Sequence, residues 1–278
     1  MFKMKREKIY KMSIISIIIL SLLLIGSLFL NYINEINRTI NNVEGAWLIV
    51  YLIIIRVSLL SIMAFYIFHK WFSQEQLFFS DLPFLFGSFF LILIFGKFMD
   101  LLFDLTFFTL PADDVLFLLK IRFFIAILTL FPMMYLSIGM ILFAFSLGEK
   151  YKKLKNKGFR NKIRNVLLII VTIIEILAVI FAPNTIVIGI LLPLFVLPSI
   201  TTIVWLFYFS WKNKALSQVN TKLLSFAFGM LLISQLLRPI TQNFVGEGAL
   251  YIIIVEIIDF FVFVLIFIGF YLESHYTD

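Results

Sequence analysis

The chain has 278 residues, 62% of them hydrophobic and only 14% charged, with a mean hydropathy of +1.08. So few polar residues cannot cover a water-soluble protein of this length, and lipid is the natural solvent. The net charge is +7, there is no cysteine, and the two histidines are His69 and His275, which excludes disulfides, thiol catalysis and iron–sulfur ligation and argues against bis-histidine haem.

A bilayer core needs about 20 apolar residues of helix. Eight runs meet this: Ser13–Tyr32, Trp47–Phe68, Leu82–Phe108, Val115–Leu147, Val166–Ala182, Thr185–Trp211, Leu223–Leu237 and Ala249–Leu272. The first follows a basic stretch, Lys3 to Lys11. It is longer than the apolar part of a signal peptide and has no small-residue cleavage site, so it reads as an uncleaved helix. The fourth run contains Pro132, and the sixth contains Pro193 and Pro198, where bends are expected. Only Ala182-Pro183-Asn184-Thr185 separates the fifth run from the sixth. Without that turn the count is seven. The use of Ile, Phe, Lys and Asn matches an AT-rich prokaryotic genome.

Lys and Arg set the orientation. The N-terminal stretch carries five, and Lys70 follows the second run. Eight follow the fourth run: Lys150, Lys152, Lys153, Lys155, Lys157, Arg160, Lys162 and Arg164. Lys212, Lys214 and Lys222 follow the sixth. The opposite side holds Arg38 and the boundary residue Arg238. This alternation places both termini in the cytoplasm of a cell whose plasma membrane the chain crosses. Trp47, Trp71 and Trp211 lie at run ends, where interfacial indoles are favoured. The 149–164 segment could also meet anionic headgroups or a cytoplasmic partner. Only Glu273–Asp278 follow the last run, so a single membrane domain over 1–278 with no soluble domain is expected. The expected fold class is all-α. It is a polytopic transmembrane bundle of about eight helices, with a peripheral first helix and a seven-helix bundle.

Ten charges fall inside the runs. The bases are Arg56, Lys97, Lys120, Arg122 and Arg238, and the acids are Asp100, Asp104, Glu175, Glu256 and Asp259. Each costs about 2.5–3.5 kcal/mol at mid-bilayer. Ten unpaired charges would exceed the net stability of a typical domain, about 5–15 kcal/mol. Pairing, hydration or neutralisation is therefore required. At a rise of about 1.5 Å per residue from the external helix ends, all ten lie in the external half, from Arg238 at the boundary and Asp104 at ~6 Å to Lys97 at ~16 Å. Lys97, Asp100 and Asp104 form one helical stripe, and Glu256 and Asp259 share a face. Matched depth sets Asp104 opposite Lys120 and Asp100 opposite Arg122. Lys120 and Arg122 are about 200° apart around the helix, so only one can face inward. Arg122 is the expected inward partner, because the shallower Lys120 can snorkel. Matched depth also suggests a Lys97–Asp259 contact. Gln235 completes the candidate polar set.

No HExxH, GxSxG, P-loop or GxGxxG is present. Lys97 has acidic neighbours that explain it without a Schiff base, and the Gly-x-Gly-Asp setting of an intramembrane aspartyl dyad is absent. Asn37-Arg38-Thr39 is a glycosylation sequon too close to the membrane to weigh much. No cofactor or metal is implied, and an enzyme has no positive support. Three functions stay open. The first is a non-enzymatic sensor or receptor-like module with an external-half polar pocket, acting through partners on an unknown small ligand or ion. The second is a small transporter or ion- or proton-conducting subunit. The third is a structural or assembly subunit. A transporter needs a polar route to the cytoplasm, and the inner halves offer little beyond Ser58, Thr129 and Thr202. The layout is similar, on architecture alone, to the multi-helix membrane sensor regions of prokaryotic signalling proteins.

Overall fold

A computed structural model of the chain describes residues 2–107, 109–246 and 248–273. The side chains of residues 2–6, 149, 150 and 249 are outside that description, as are Phe108, the expected end of the third run, and His275. Among the described residues there is no strand. In chain order the helices are α1 (Phe2–Asn31), α2 (Ile33–Asn42), α3 (Ala46–Phe72), α4 (Leu82–Thr106) and α5 (Ala112–Ser146). A 3-10 segment (Glu149–Lys155) precedes α6 (Lys157–Ile180), α7 (Thr185–Lys212), α8 (Thr221–Val245) and α9 (Ala249–Tyr271). Eight of these are long and apolar enough to cross a membrane, all but the ten-residue α2.

The turn at 182–185 separates α6 from α7. Pro183 cannot donate to a continuing ladder, and the Asn184 side chain caps α7 by accepting from the Val187 amide at 3.0 Å. The helical assignment of α5 runs through Pro132 and that of α7 through Pro193 and Pro198. Four helices depart most from the expected bounds: α1 begins at Phe2 rather than Ser13, α8 runs on to Val245 rather than Leu237, and α6 and α2 differ further. α6 starts nine residues before the apolar run, at Lys157, where Asn156 caps it by accepting from the Phe159 amide at 3.2 Å. Hydropathy does not register this basic first part. α2 was expected as loop. It turns Ile36 and Thr39 inward, half-buries Glu35 and exposes Asn34, Asn37, Arg38, Asn41 and Asn42, so the Asn37 sequon lies on a helix.

The chain forms two compact units, residues 1–129 and 130–278, dividing within α5 just ahead of Pro132. In the first unit α3 packs along α4, and α1 and α2 also lean on α4. α4 is the most enclosed of these helices. In lipid, apolar burial gives helices little drive to associate, so close packing and polar contacts hold them together. Gly87 of α4 shows the packing: a Cβ there would sit 3.1 Å from three atoms of the Phe68 ring. Tyr10 and Ile14 of α1 pack on Phe68, Trp71 and Leu77, while Ile15, Leu20, Leu23 and Leu30 of α1 stay exposed.

Trp71 lies at the end of α3, as expected, and is fully buried, with its Nε1 donating to Asp81 Oδ2 at 3.3 Å. That carboxylate also accepts from the Phe78 amide at 2.9 Å, so the α3–α4 connection folds over the indole and meets its polar atom. Trp47 and Trp211 remain exposed.

In the second unit α7, α8 and α9 pack in sequence, and α6 touches α7 and the 3-10 segment. Gly269 permits the α8–α9 approach. A Cβ there would lie 2.9 Å from Leu224 Cγ and Cδ2, and the Gly269 carbonyl accepts from the Asn220 amide at 2.8 Å.

Candidate functional site

Helical spacing alone brings Lys97 and Asp100 together on α4. They are one turn apart, with Nζ 2.6 Å from Oδ2. α5 then delivers Arg122, whose Nε donates to the other oxygen, Oδ1, at 2.6 Å. Asp100 is therefore a carboxylate held between two cations. The three side chains grade in exposure: 7% for Lys97, 16% for Asp100 and 32% for Arg122. The guanidinium also lies over the Phe103 ring, 5.2 Å from its centroid, where its charge meets the π face. Gly96 of α4, with Ile125 of α5 at 3.5 Å from a Cβ placed there, allows the close approach. Arg122 is thus the inward partner of Asp100 that matched depth predicts. Asp104 and Lys120 are half-buried.

The second unit has its own knot. Ser234 and Arg238 stand one turn apart on α8 and converge on Asp259 of α9. Ser234 Oγ donates to Oδ1 at 3.2 Å and Arg238 Nη2 to Oδ2 at 2.6 Å. Asp259 is 2% exposed, so both its oxygens are met away from solvent. Pro239 follows Arg238 inside α8 and removes the amide that would bond the Gln235 carbonyl. Gln235 is half-buried, and Glu256 is buried one turn before Asp259. Arg56 on α3 and Glu175 on α6 are buried as well.

Within their own units, Lys97 pairs with Asp100 on its own helix and Asp259 with Arg238 on the adjacent one. An i, i+3 neighbour such as Asp100 is within reach on one helix face. Sequence reading missed Ser234. Its only signal was its one-turn spacing from Arg238 on a helix that also holds Gln235.

The basic segment also divides. Arg164 lies on the Tyr135 ring, 3.7 Å from its centroid, and Arg160 over Phe143 at 5.4 Å, both on α5. Lys152, Lys153, Lys155, Lys157 and Lys162 are exposed; the Lys150 side chain is outside the described set. Outside the spans, Tyr32 joins α1 to α2. Burial first, then the charges of Asp114 and Glu35, push its phenol above its ordinary value.

The hydroxyls expected in the inner helix halves act locally. Ser58 donates to the Ile54 carbonyl at 2.9 Å, Thr129 to Ile125 at 2.8 Å and Thr202 to Pro198 at 2.8 Å. Such bonds satisfy a hydroxyl inside lipid without needing a neighbour.

No protein-family model, curated protein or solved structure matches the chain.

Proposed function

We propose that the chain is a multi-pass membrane protein with both termini in the cytoplasm, and that it works as a non-enzymatic, sensor- or receptor-like module. Its responsive part is the set of ionisable side chains in the external half. The observation that carries this reading is the Lys97–Asp100–Arg122 triad, two cations on one carboxylate at 2.6 Å each, graded from buried to partly exposed. Charges this expensive inside a membrane mark functional positions by default. The exposed end, Arg122, is the element from which an anionic group or ion could draw on the triad. Crossing by crossing, eight spans put the α4–α5 and α8–α9 connections on the same, non-basic side. The reading therefore assigns both charge knots to the external leaflet. Transport is the weaker alternative, because the hydroxyls at Ser58, Thr129 and Thr202 are turned to their own backbones.

Two measurements test this. The chain lacks cysteine, so single replacements such as Asn42→Cys and Lys153→Cys can be labelled in intact cells with a membrane-impermeant maleimide. Labelling of position 42 and protection of position 153 is expected; the reverse pattern overturns the orientation. The purified protein in liposomes loaded with a pH-sensitive dye should show no proton flux under an imposed potential. Flux lost in Asp100→Asn would replace the sensor reading with the transport one.

A further inference from the structure

We propose that the 3-10 segment and the first turns of α6 form a binding surface for anionic phospholipid headgroups, resting on the inward orientation given above. The sequence alone offers eight bases whose simplest role is to orient the chain. The structure separates them by task. Arg160 and Arg164 fold back on α5: one guanidinium lies over Phe143 and within 3.5 Å of Ser146 Oγ, the other on Tyr135. The Arg164 stem passes so close to Gly139 that a Cβ there would lie 3.3 Å from its Cδ. Leu154, 7% exposed, and the Tyr151–Phe145 ring contact at 5.6 Å pin the 3-10 segment to the same unit. The backbone between α5 and α6 is therefore fixed rather than trailing.

On this fixed base Lys152, Lys153, Lys155, Lys157 and Lys162 all point to the outside, interleaved with exposed Tyr151 and Phe159. The only acid in residues 149–164 is Glu149. Beside the lysines, Phe145 and Leu147 at the end of α5 and Val166 and Leu167 on α6 are exposed and apolar. This order matches the groups of a phospholipid of the inner leaflet lying alongside: anionic head, glycerol level, acyl chain. Lysine suits a headgroup phosphate as a point charge, while the two arginines are used for packing. Lys157 and Arg160 also stand at the start of α6 with no acid in its first turn. They oppose the helix dipole there, and a neighbouring phosphate offsets that cost.

Each lysine near an anionic surface contributes about a five-fold preference, from roughly 1 kcal/mol per charge. The experiment reconstitutes the full chain in nanodiscs of mixed phosphatidylcholine and phosphatidylglycerol and measures by native mass spectrometry which lipid is retained. Retention of phosphatidylglycerol over phosphatidylcholine is expected. It should fall about five-fold or more when the five lysines become Gln and persist when they become Arg. Neutralising Lys212 and Lys214 in the other basic loop should change it much less. Equal retention of the two lipids, or a preference that survives the Gln variant, overturns the proposal. Maleimide labelling of Asn42→Cys is read in parallel, alone and in the Gln background. If position 42 is protected without the Gln changes, the orientation reading fails first. If it is labelled while retention shows no preference, only the lipid site fails.

Discussion

Removing the charge of Asp100 should cost more than removing either of its partners. Asp100→Asn breaks both of the 2.6 Å ion pairs of the triad, whereas Arg122→Gln or Lys97→Met breaks one of those two. Breaking a buried pair by deleting one partner costs about 3–5 kcal/mol. A single charge-assisted bond is worth about 1.5–3 kcal/mol. The Asp100 side chain is 16% exposed and Arg122 is 32% exposed, against 7% for Lys97. Solvent or headgroups therefore screen the arginine pair most. The expected order of loss is Asp100→Asn near the lower end of 3–5 kcal/mol, then Lys97→Met, then Arg122→Gln near the lower end of 1.5–3 kcal/mol. The assay is equilibrium unfolding in mixed micelles by SDS titration, followed by circular dichroism. A double-mutant cycle on Asp100 and Arg122 should give a coupling of about 1–3 kcal/mol. Additive single losses, or an Arg122→Gln loss equal to that of Asp100→Asn, would refute the triad as an energetic unit.

At the second knot, Arg238→Gln should cost about 3–5 kcal/mol because it removes the guanidinium 2.6 Å from the buried Asp259 carboxylate, while Ser234→Ala costs about 0.5–1.5 kcal/mol; the same titration separates them. Gly269→Ala forces a Cβ to within 2.9 Å of Leu224 and should destabilise the α8–α9 contact by about 1–3 kcal/mol. Gly229→Ala, with nothing within 4 Å of its Cβ, should be neutral or gain up to about 1 kcal/mol, so equal thermal midpoints for the two variants would count against this packing. Tyr32 carries a raised phenol pKa; a raised folded value favours the protonated form in the native state. Its contribution is present below the unfolded phenol pKa and is lost as pH rises from there through the folded value. Phenolate absorbance should show a late-titrating tyrosine that Tyr32→Phe removes, and an unchanged titration curve would contradict the assignment.

Several features were legible because one-dimensional rules govern them. Hydropathy marks a span because a lipid-facing helix must be apolar along its length, and all eight runs correspond to helices able to cross a membrane. Proline and Asn at 183–184 marked the α6–α7 break through backbone chemistry. Asp100–Arg122 could be inferred because a hairpin fixes relative depth, and two bases 200° apart leave one inward choice. Less legible were features that depend on packing. The α2 helix is too polar and short for hydropathy, yet two inward residues seat it on α4. Trp71 obeys the interfacial rule in sequence but lies under a loop that also supplies Asp81.

By itself the sequence determined the solvent, the spans and the set of membrane charges, because each depends on transfer free energy and chain periodicity. Tertiary structure alone decided which charge meets which. It gave Asp100 two cations, brought Ser234 to Asp259, and turned Arg160 and Arg164 back on α5 while leaving five lysines outside. The reason is geometric. An ion pair forms over a few ångströms and in one direction, and the rotation of each helix about its own axis is set only when its neighbours pack against it.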